Sequence, residues 1–209
     1  MNLISQILSL IFPITCSCCG ADLDASYNGR ICKACMRALP KIVADDAMYS
    51  VFMYKEKARD LILKFKYSGK MFLAKDFGAQ MADKFKQLPF YDKIDCIVPV
   101  PLNIVRRIKR GYNQAELLSR EISKLTQKPV IRRSLYRKKM TKPQFKLSKE
   151  ERIKNIKGSF FVKNKERIRN KTILLIDDII TTGATVSACA AALKKSGAKK
   201  VYVLSLARD

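Results

Sequence analysis

Apolar residues fall into two rhythms along this chain. Short, nearly continuous apolar runs predict strands over 49–54, 94–98, 130–136, 159–162, 172–176 and 201–206. The run at 172–176 has no polar alternation, which predicts a parallel strand covered on both faces. Apolar residues spaced by three or four predict helices over 56–66 and 71–87, separated by Ser68-Gly69, and over 114–126. A further helix is expected from Thr182 or Thr185 to Lys195, stopped by Gly197. Strands alternating with helices predict an α/β fold with a parallel, helix-covered sheet. Ile4, Ile7, Leu8 and Ile11 also stand at helical spacing, so residues 1–15 are expected to form a short amphipathic helix. Its apolar face would pack on the protein's own core, or else touch a membrane surface or a partner groove. The stretch 137–157 is polar, basic and without period, and is expected to be a long loop.

Charge changes this picture. The 209 residues carry 42 Lys/Arg against 18 Asp/Glu, a formal net of +24. Residues 1–47 are neutral, with four basic and four acidic side chains, whereas residues 101–170 hold 22 basic and five acidic, a net of +17. Such a region suits a polyanion: nucleic acid, phosphates or acidic lipid. A lysine-rich genome would also raise the charge, but it does not explain the arginines that recur between positions 106 and 169. The apolar N-terminal run lacks a basic flank and a small-residue cleavage site, and it is too short to cross a bilayer. These features predict a cytoplasmic protein, with the inner face of the inner membrane as a second location.

The cysteines are clustered. Cys16-x2-Cys19 is followed after twelve residues, the first of them Gly20, by Cys32-x2-Cys35. Two such knuckles are the signature of a zinc ribbon, in which four thiolates close a structural tetrahedral site. Disulfides are the alternative, and a cytoplasmic location disfavours them. Cys18 is surplus to the register, and Cys96 and Cys189 fall in apolar patterns and are expected in the core. The chain has no histidine, so neither an imidazole ligand nor an imidazole base is available.

The densest chemistry is ILLIDDIITTGAT, residues 173–185. A strand ending at Ile176 is expected to deliver Asp177 and Asp178 at its carboxyl end. A turn through Thr182 and Gly183 then enters a helix. Backbone N–H groups at such a turn form an anion nest, and Thr181, Thr182 and Thr185 add hydroxyl donors. The carboxylates suit ribose hydroxyls or a magnesium ion. On the neighbouring strand, Pro99-Val100-Pro101-Leu102 is expected to end beside this loop. Arg106, Arg107, Lys109 and Arg110 follow, and Gly111-Tyr112-Asn113-Gln114 opens a helix.

The 173–185 segment resembles the signature of type I phosphoribosyltransferases. The resemblance implies that Asp177 and Asp178 contact ribose hydroxyls and hold magnesium through the ligand. It implies also that Thr181, Thr182, Gly183, Ala184 and Thr185 bind the 5-phosphate of phosphoribosyl pyrophosphate. Oxopurine transferases carry an acidic base where this chain has Thr181. Four further segments extend the likeness over nearly the whole chain: the cysteine ribbon, YKEKARDLILKFKYSG (54–69), VPVPLNIVRRIKRGYNQ (98–114) and TKPQFKLSKEERIKNIKGSF (141–160). Together they resemble ComF-type competence proteins, which join a zinc ribbon to a phosphoribosyltransferase fold and move imported single-stranded DNA into the cytoplasm. Many of those have a histidine after PVPL, where this chain has Asn103.

The resemblance divides the chain into 1–47, helix and ribbon, and 48–209, the phosphoribosyltransferase-like domain. Residues 141–157 would form a hood with Lys142, Gln144 and Arg152 as polar contacts. Arg110, Gln114 and Lys142 join the phosphoribosyl pyrophosphate set. Arg106, Arg107, Lys109, Tyr112, Arg132, Arg133, Lys138 and Lys139 are the nucleic-acid candidates, since cations track phosphates while rings such as Tyr112, Tyr136 and Phe145 stack on bases. Core or hinge packing is the other reading of those rings. Zinc, magnesium and phosphoribosyl pyrophosphate are the expected cofactors and ligand. Single-stranded DNA, a DNA-uptake helicase or an inner-membrane channel are the expected partners. A working phosphoribosyltransferase acting on a base, nucleotide or nucleic acid is the alternative function, and no catalytic base is evident for it. A third reading is a scaffold in which the first 47 residues dock a channel or helicase.

Overall fold

The computed structural model describes residues 13–24, 26–42, 48–138 and 158–209, with the side chains of Ile104 and Arg106 excepted. The expected N-terminal helix over its first twelve positions, the hood over 141–157, and Lys139 and Lys142 lie outside the described residues. Residues 13–15 are not helical, and Thr15 forms an antiparallel bridge with Asp22.

The first described helix is α1 (Lys33–Ala38), begun by the second cysteine knuckle. Strand β1 (Tyr49–Met53) leads into α2 (Glu56–Tyr67) and α3 (Leu73–Lys86). Then come β2 (Cys96–Pro99), α4 (Ile104–Arg110) and α5 (Gln114–Thr126). Short β3 (Leu135–Arg137) and β4 (Phe160–Val162) precede β5 (Thr172–Ile180), α6 (Ala184–Lys195) and β6 (Lys200–Arg208). The main sheet runs β1-β6-β5-β2 with every pair parallel, and β3 and β4 form a separate antiparallel pair.

Alternation along the strands sorts the core into two layers. Leu174, Ile176, Leu204 and Leu206 face one layer with Leu61, Phe65, Phe77, Met81 and Phe85 of α2 and α3. Ile173, Leu175, Cys96 and Val98 face the other with Val186, Cys189 and Leu193 of α6 and Phe160 of the small sheet. Gly78 lets α3 and α5 approach closely, because a Cβ there would stand 2.4 Å from Glu121 Cβ. Cys16, Ile31 and Leu39 belong to the first layer, so the cysteine segment shares the sheet's core. Arg30 N donates to Asp76 Oδ2 on α3 at 2.9 Å, and Lys64 Nζ of α2 donates to the Ser17 carbonyl at 2.8 Å.

Three expectations need revision. The strand foreseen over 172–176 continues to Ile180. Strand β6 supplies the reason: it pairs Asp177 with Ser205, Ile179 with Ala207 and Ile180 with Arg208, overriding the low strand propensity of two aspartates. The strand foreseen over 130–136 shrinks to Leu135–Arg137, with Val130 making only a parallel bridge to Ile97. The segment after PVPL, read as a run of cations, is α4, capped by Asn103 Oδ1 accepting from Val105 N at 2.9 Å.

Candidate functional site

Because all four strands are parallel, their carboxyl ends share one edge, where open α/β sheets bind ligands. Pro99 is in register with Ile176, so the PVPL segment leaves the sheet one strand away from the acidic pair. The extension of β5 decides how that pair is presented. Successive strand residues point to opposite faces. Asp178 follows Leu174 and Ile176 to the α2 side, where Lys66 Nζ lies 3.1 Å from its Oδ2. Only 13% of the lysine side chain and 15% of the aspartate side chain are exposed. Asp177 falls instead on the α6 side, with Ile173 and Leu175, near the buried Cys189, whose thiol is pushed up by burial first and by Asp177 second. Asp177 itself is pushed well above the ordinary carboxylate range, by burial first and by the charge of Asp178 second. The Asp178 N–H and Lys66 offset this only in part. The two carboxylates are therefore unlike: Asp178 is neutralised by an ion pair, whereas the surroundings of Asp177 favour its protonated form.

The turn after β5 carries the threonines. Thr181 and Thr182 are exposed. Thr182 Oγ1 accepts from Ala184 N at 3.4 Å, and Thr185 lies in the first turn of α6. Gly183 is buried at φ +73°, and a Cβ there would stand 2.9 Å from Met48 Cε. No carboxylate stands at position 181.

Across the edge, Arg110 is fixed by three contacts. It donates to Gln114 Oε1 at 3.2 Å and to Tyr67 Oη at 2.8 Å, and its guanidinium lies 4.6 Å from the Tyr67 ring centroid. Gln114 is 1% exposed, and its Nε2 has no hydrogen-bond partner among the described residues. The Tyr112 hydroxyl donates to the Phe65 carbonyl, and the two rings pack at 6.2 Å. Asn113 Nδ2 holds the Val100 carbonyl at 3.0 Å. The RGYNQ turn is thus bolted to the end of α2 and to the PVPL strand, and it brings Arg110 and Gln114 together. Arg107, Lys109, Arg132, Arg133 and Lys138 are spread over the surface of α4 and the approaches to β3.

Sequence reasoning missed Lys66 and Tyr67. They end an amphipathic helix directly after buried Phe65, and that position on the helix at the mouth of the sheet was the only available signal.

The cysteine cluster forms as its spacing requires. The Sγ atoms of Cys16, Cys19, Cys32 and Cys35 all lie within 4.8 Å of one another, and Cys19 and Cys32 are 4.0 Å apart. A tetrahedral zinc with bonds of about 2.3 Å needs sulfurs roughly 3.8 Å apart, so the set fits that ion. Cys16 Sγ accepts from Cys18 N at 3.4 Å and Cys32 N at 3.3 Å, and Cys32 Sγ accepts from Cys35 N at 3.4 Å. Burial works to raise the Cys16 thiol, but N–H groups of Cys32, Cys19 and Cys18 outweigh it and bring it down to about 6. Burial and the neighbouring thiols push Cys35 up instead. Gly20 takes φ +78°, as the knuckle turn demands. Cys18 stands outside the set, and Cys96 and Cys189 are buried core residues. Among the described residues, no helix is long and apolar enough to cross a membrane.

Residues 75–209 match the phosphoribosyl transferase domain family. The chain is 31% identical to competence protein F of Haemophilus influenzae, over 94% of this chain and 85% of that protein. It is 33% identical to DNA utilization protein YhgH of Escherichia coli, over 54% of this chain and 49% of that protein. Among solved structures, the Bacillus subtilis glutamine phosphoribosylpyrophosphate amidotransferase complexed with ADP and GMP is similar over 69% of this chain and 30% of its own, at 14% identity and a TM-score of 0.48. With its phosphoribosyltransferase sheet and its four-cysteine knuckle pair, the chain belongs to the competence protein F family.

Proposed function

We propose that this chain works in natural DNA uptake, handling incoming single-stranded DNA on its basic face while the carboxyl edge of its sheet holds phosphoribosyl pyrophosphate with magnesium. The family membership and the names of its relatives support the uptake role. The observation that carries the ligand is the edge itself. Asp177 and Asp178 end β5 at the carboxyl edge, the 181–185 turn follows them, and Arg110 is held at the end of the helix that follows β2; these groups would offer carboxylates for a ribose diol, donors for a 5-phosphate and a cation for a pyrophosphate. Asp177 and Asp178 would reach magnesium through the bound ligand. Thr181, Thr182, Gly183, Ala184 and Thr185 would cradle the 5-phosphate, and Lys142 would close over it. Zinc would be held by Cys16, Cys19, Cys32 and Cys35, with residues 1–47 as the ribbon unit and 48–209 as the ligand-binding domain. The DNA would meet Arg106, Arg107, Lys109, Arg132, Arg133, Lys138 and Lys139 on the cytoplasmic side of the inner membrane, near the channel or helicase that delivers it, whereas Tyr112 is a packing residue held on Phe65.

Two measurements test this reading. Deletion of the gene should abolish transformation by linear DNA, and unchanged transformation would refute the uptake role. Calorimetry should show phosphoribosyl pyrophosphate binding that needs magnesium, and absence of binding would refute the ligand.

A second reading, active phosphoribosyl transfer, is favoured by Arg110, whose three contacts hold a cation where a leaving pyrophosphate would depart. Pyrophosphate release with a panel of bases, nucleotides and oligonucleotides tests it, and silence across the panel would eliminate it.

A further inference from the structure

Two cavities on the basic face share a wall. The first, about 240 Å³, opens at Pro99 and Pro101 at the end of β2 and is lined by Arg107, Asn113, Arg133 and Tyr136. The second, about 490 Å³, lies beyond it and is lined by Arg132, Arg133, Tyr136, Asn164 and Arg167. Arg133 and Tyr136 line both, so the two read as one trough. It runs from the carboxyl edge of the main sheet out along the small β3–β4 sheet.

The lining is cationic. Among the described residues, Glu116 is the single carboxylate on either wall, and it is engaged by Arg120 at 2.6 Å and Arg132 at 3.4 Å. Arg167 Nη1 reaches the Arg132 carbonyl at 3.4 Å, which ties the far wall to the near one. Tyr136 is backed by Phe161, with centroids 5.6 Å apart at 22°, and Lys163 Nζ lies 5.1 Å from the Tyr136 ring. Cations along a channel with a braced ring beside them are the chemistry that holds single-stranded nucleic acid: charges follow the phosphates and the ring contacts a base.

The backbone adds a second observation. Arg133 is held at φ +56°, in the left-handed region that glycine occupies without strain. An L-residue there crowds its Cβ against the following carbonyl oxygen. A glycine would be the relaxed choice, yet an arginine stands where both cavities meet.

We infer that this trough is the track for single-stranded DNA, and that it is separate from the phosphoribosyl site, so that DNA and phosphoribosyl pyrophosphate bind at the same time. The inference rests on the function proposed above and assigns its two ligands to different places. A deoxyribose lacks the 2′-hydroxyl that the Asp177–Asp178 pair would bind, so a DNA strand gains least by entering the phosphate loop. The trough starts at β2, the strand directly beside β5, but it leads away along the small sheet, and none of its lining residues belongs to the 177–185 segment.

The test is fluorescence anisotropy of labelled oligothymidylate with the full chain, at about 50 and about 200 mM salt, with and without phosphoribosyl pyrophosphate and magnesium. Arg133→Gly relaxes the backbone and should leave the melting temperature equal or higher. Combined with Arg167→Gln, it should weaken DNA binding roughly tenfold and lower the salt slope by about 1.4, since each phosphate left without its arginine subtracts about 0.7. Tyr136→Phe should bind as the wild type does, and Tyr136→Leu should bind more weakly. Magnesium and phosphoribosyl pyrophosphate should leave the wild-type DNA affinity unchanged.

Wild-type protein that does not bind DNA would overturn the DNA role itself. Wild-type binding that persists in the double variant would overturn the track and leave that role standing. Stoichiometric displacement of DNA by phosphoribosyl pyrophosphate would overturn the separation of the two sites. Preference for the matching RNA would overturn DNA as the occupant.

Discussion

Replacing Lys66 with methionine removes the cation that neutralises Asp178 and leaves a hydrophobic side chain of similar length. The pair is 3.1 Å apart, and roughly seven-eighths of each side chain is shielded from solvent. At an effective dielectric near 20, charges at that distance attract by about 5 kcal/mol, and desolvation of both groups takes back a large part. Removing one partner of a fully buried pair costs about 3–5 kcal/mol. The remaining exposure here lowers the expected cost to about 2–3 kcal/mol. For a chain of this size that corresponds to a fall of about 5–10 °C in melting temperature. Urea unfolding at neutral pH measures the cost directly, and a double-mutant cycle isolates the pair. Lys66→Met combined with Asp178→Asn should be less destabilised than the sum of the single variants by about 1–2 kcal/mol. Additive single effects would show that Lys66 and Asp178 do not interact, and the picture of two unlike carboxylates would be wrong.

Asp177 yields a pH prediction. Its native pKa is raised, by burial first and Asp178 second, so the folded protein keeps a proton that the unfolded chain releases above its ordinary value of 3.8. That contribution is complete below 3.8 and is lost as pH rises through the native pKa. Asp177→Asn should therefore be more stable than wild type at neutral pH, with an advantage that shrinks on acidification in parallel urea titrations. A constant advantage across pH would exclude burial of the charge as its cause. Gly183→Ala places a Cβ 2.9 Å from Met48 Cε at φ +73°, and should cost about 1 kcal/mol or more in urea unfolding. Cys32→Ser should lose bound zinc by elemental analysis and lower the melting temperature, because the site shares a core with Ile31 and Leu39. Cys18→Ser should retain one zinc per chain, as its sulfur lies outside the cluster.

Much of this was legible in the sequence where one local rule governs. The helix over Gln114–Thr126 follows from its apolar period and the Asn113 cap, and the cysteine site from two knuckles whose geometry is nearly independent of the rest of the chain. The ILLIDDIITTGAT segment announced its chemistry, but not its register. Whether β5 stops at Ile176 or at Ile180 is settled by β6, whose pairing continues to Arg208, and local propensity holds no record of that partner. The opposed placement of Asp177 and Asp178 follows from that register and was invisible for the same reason. Lys66 was hidden among many lysines, since only the packing of α2 against the sheet selects it. The trough was hidden too: Arg107, Arg133 and Arg167 are distant in sequence, and β2, α4 and the small sheet bring them together.

The measurement that bears most directly on the central claim is calorimetric titration of the full chain with phosphoribosyl pyrophosphate, with and without magnesium, beside an Asp177→Asn/Asp178→Asn variant whose circular dichroism matches the wild type. One site per chain is expected, tight only with magnesium and lost in the variant. Absence of binding by the wild type, or equal binding by the variant, would contradict the claim.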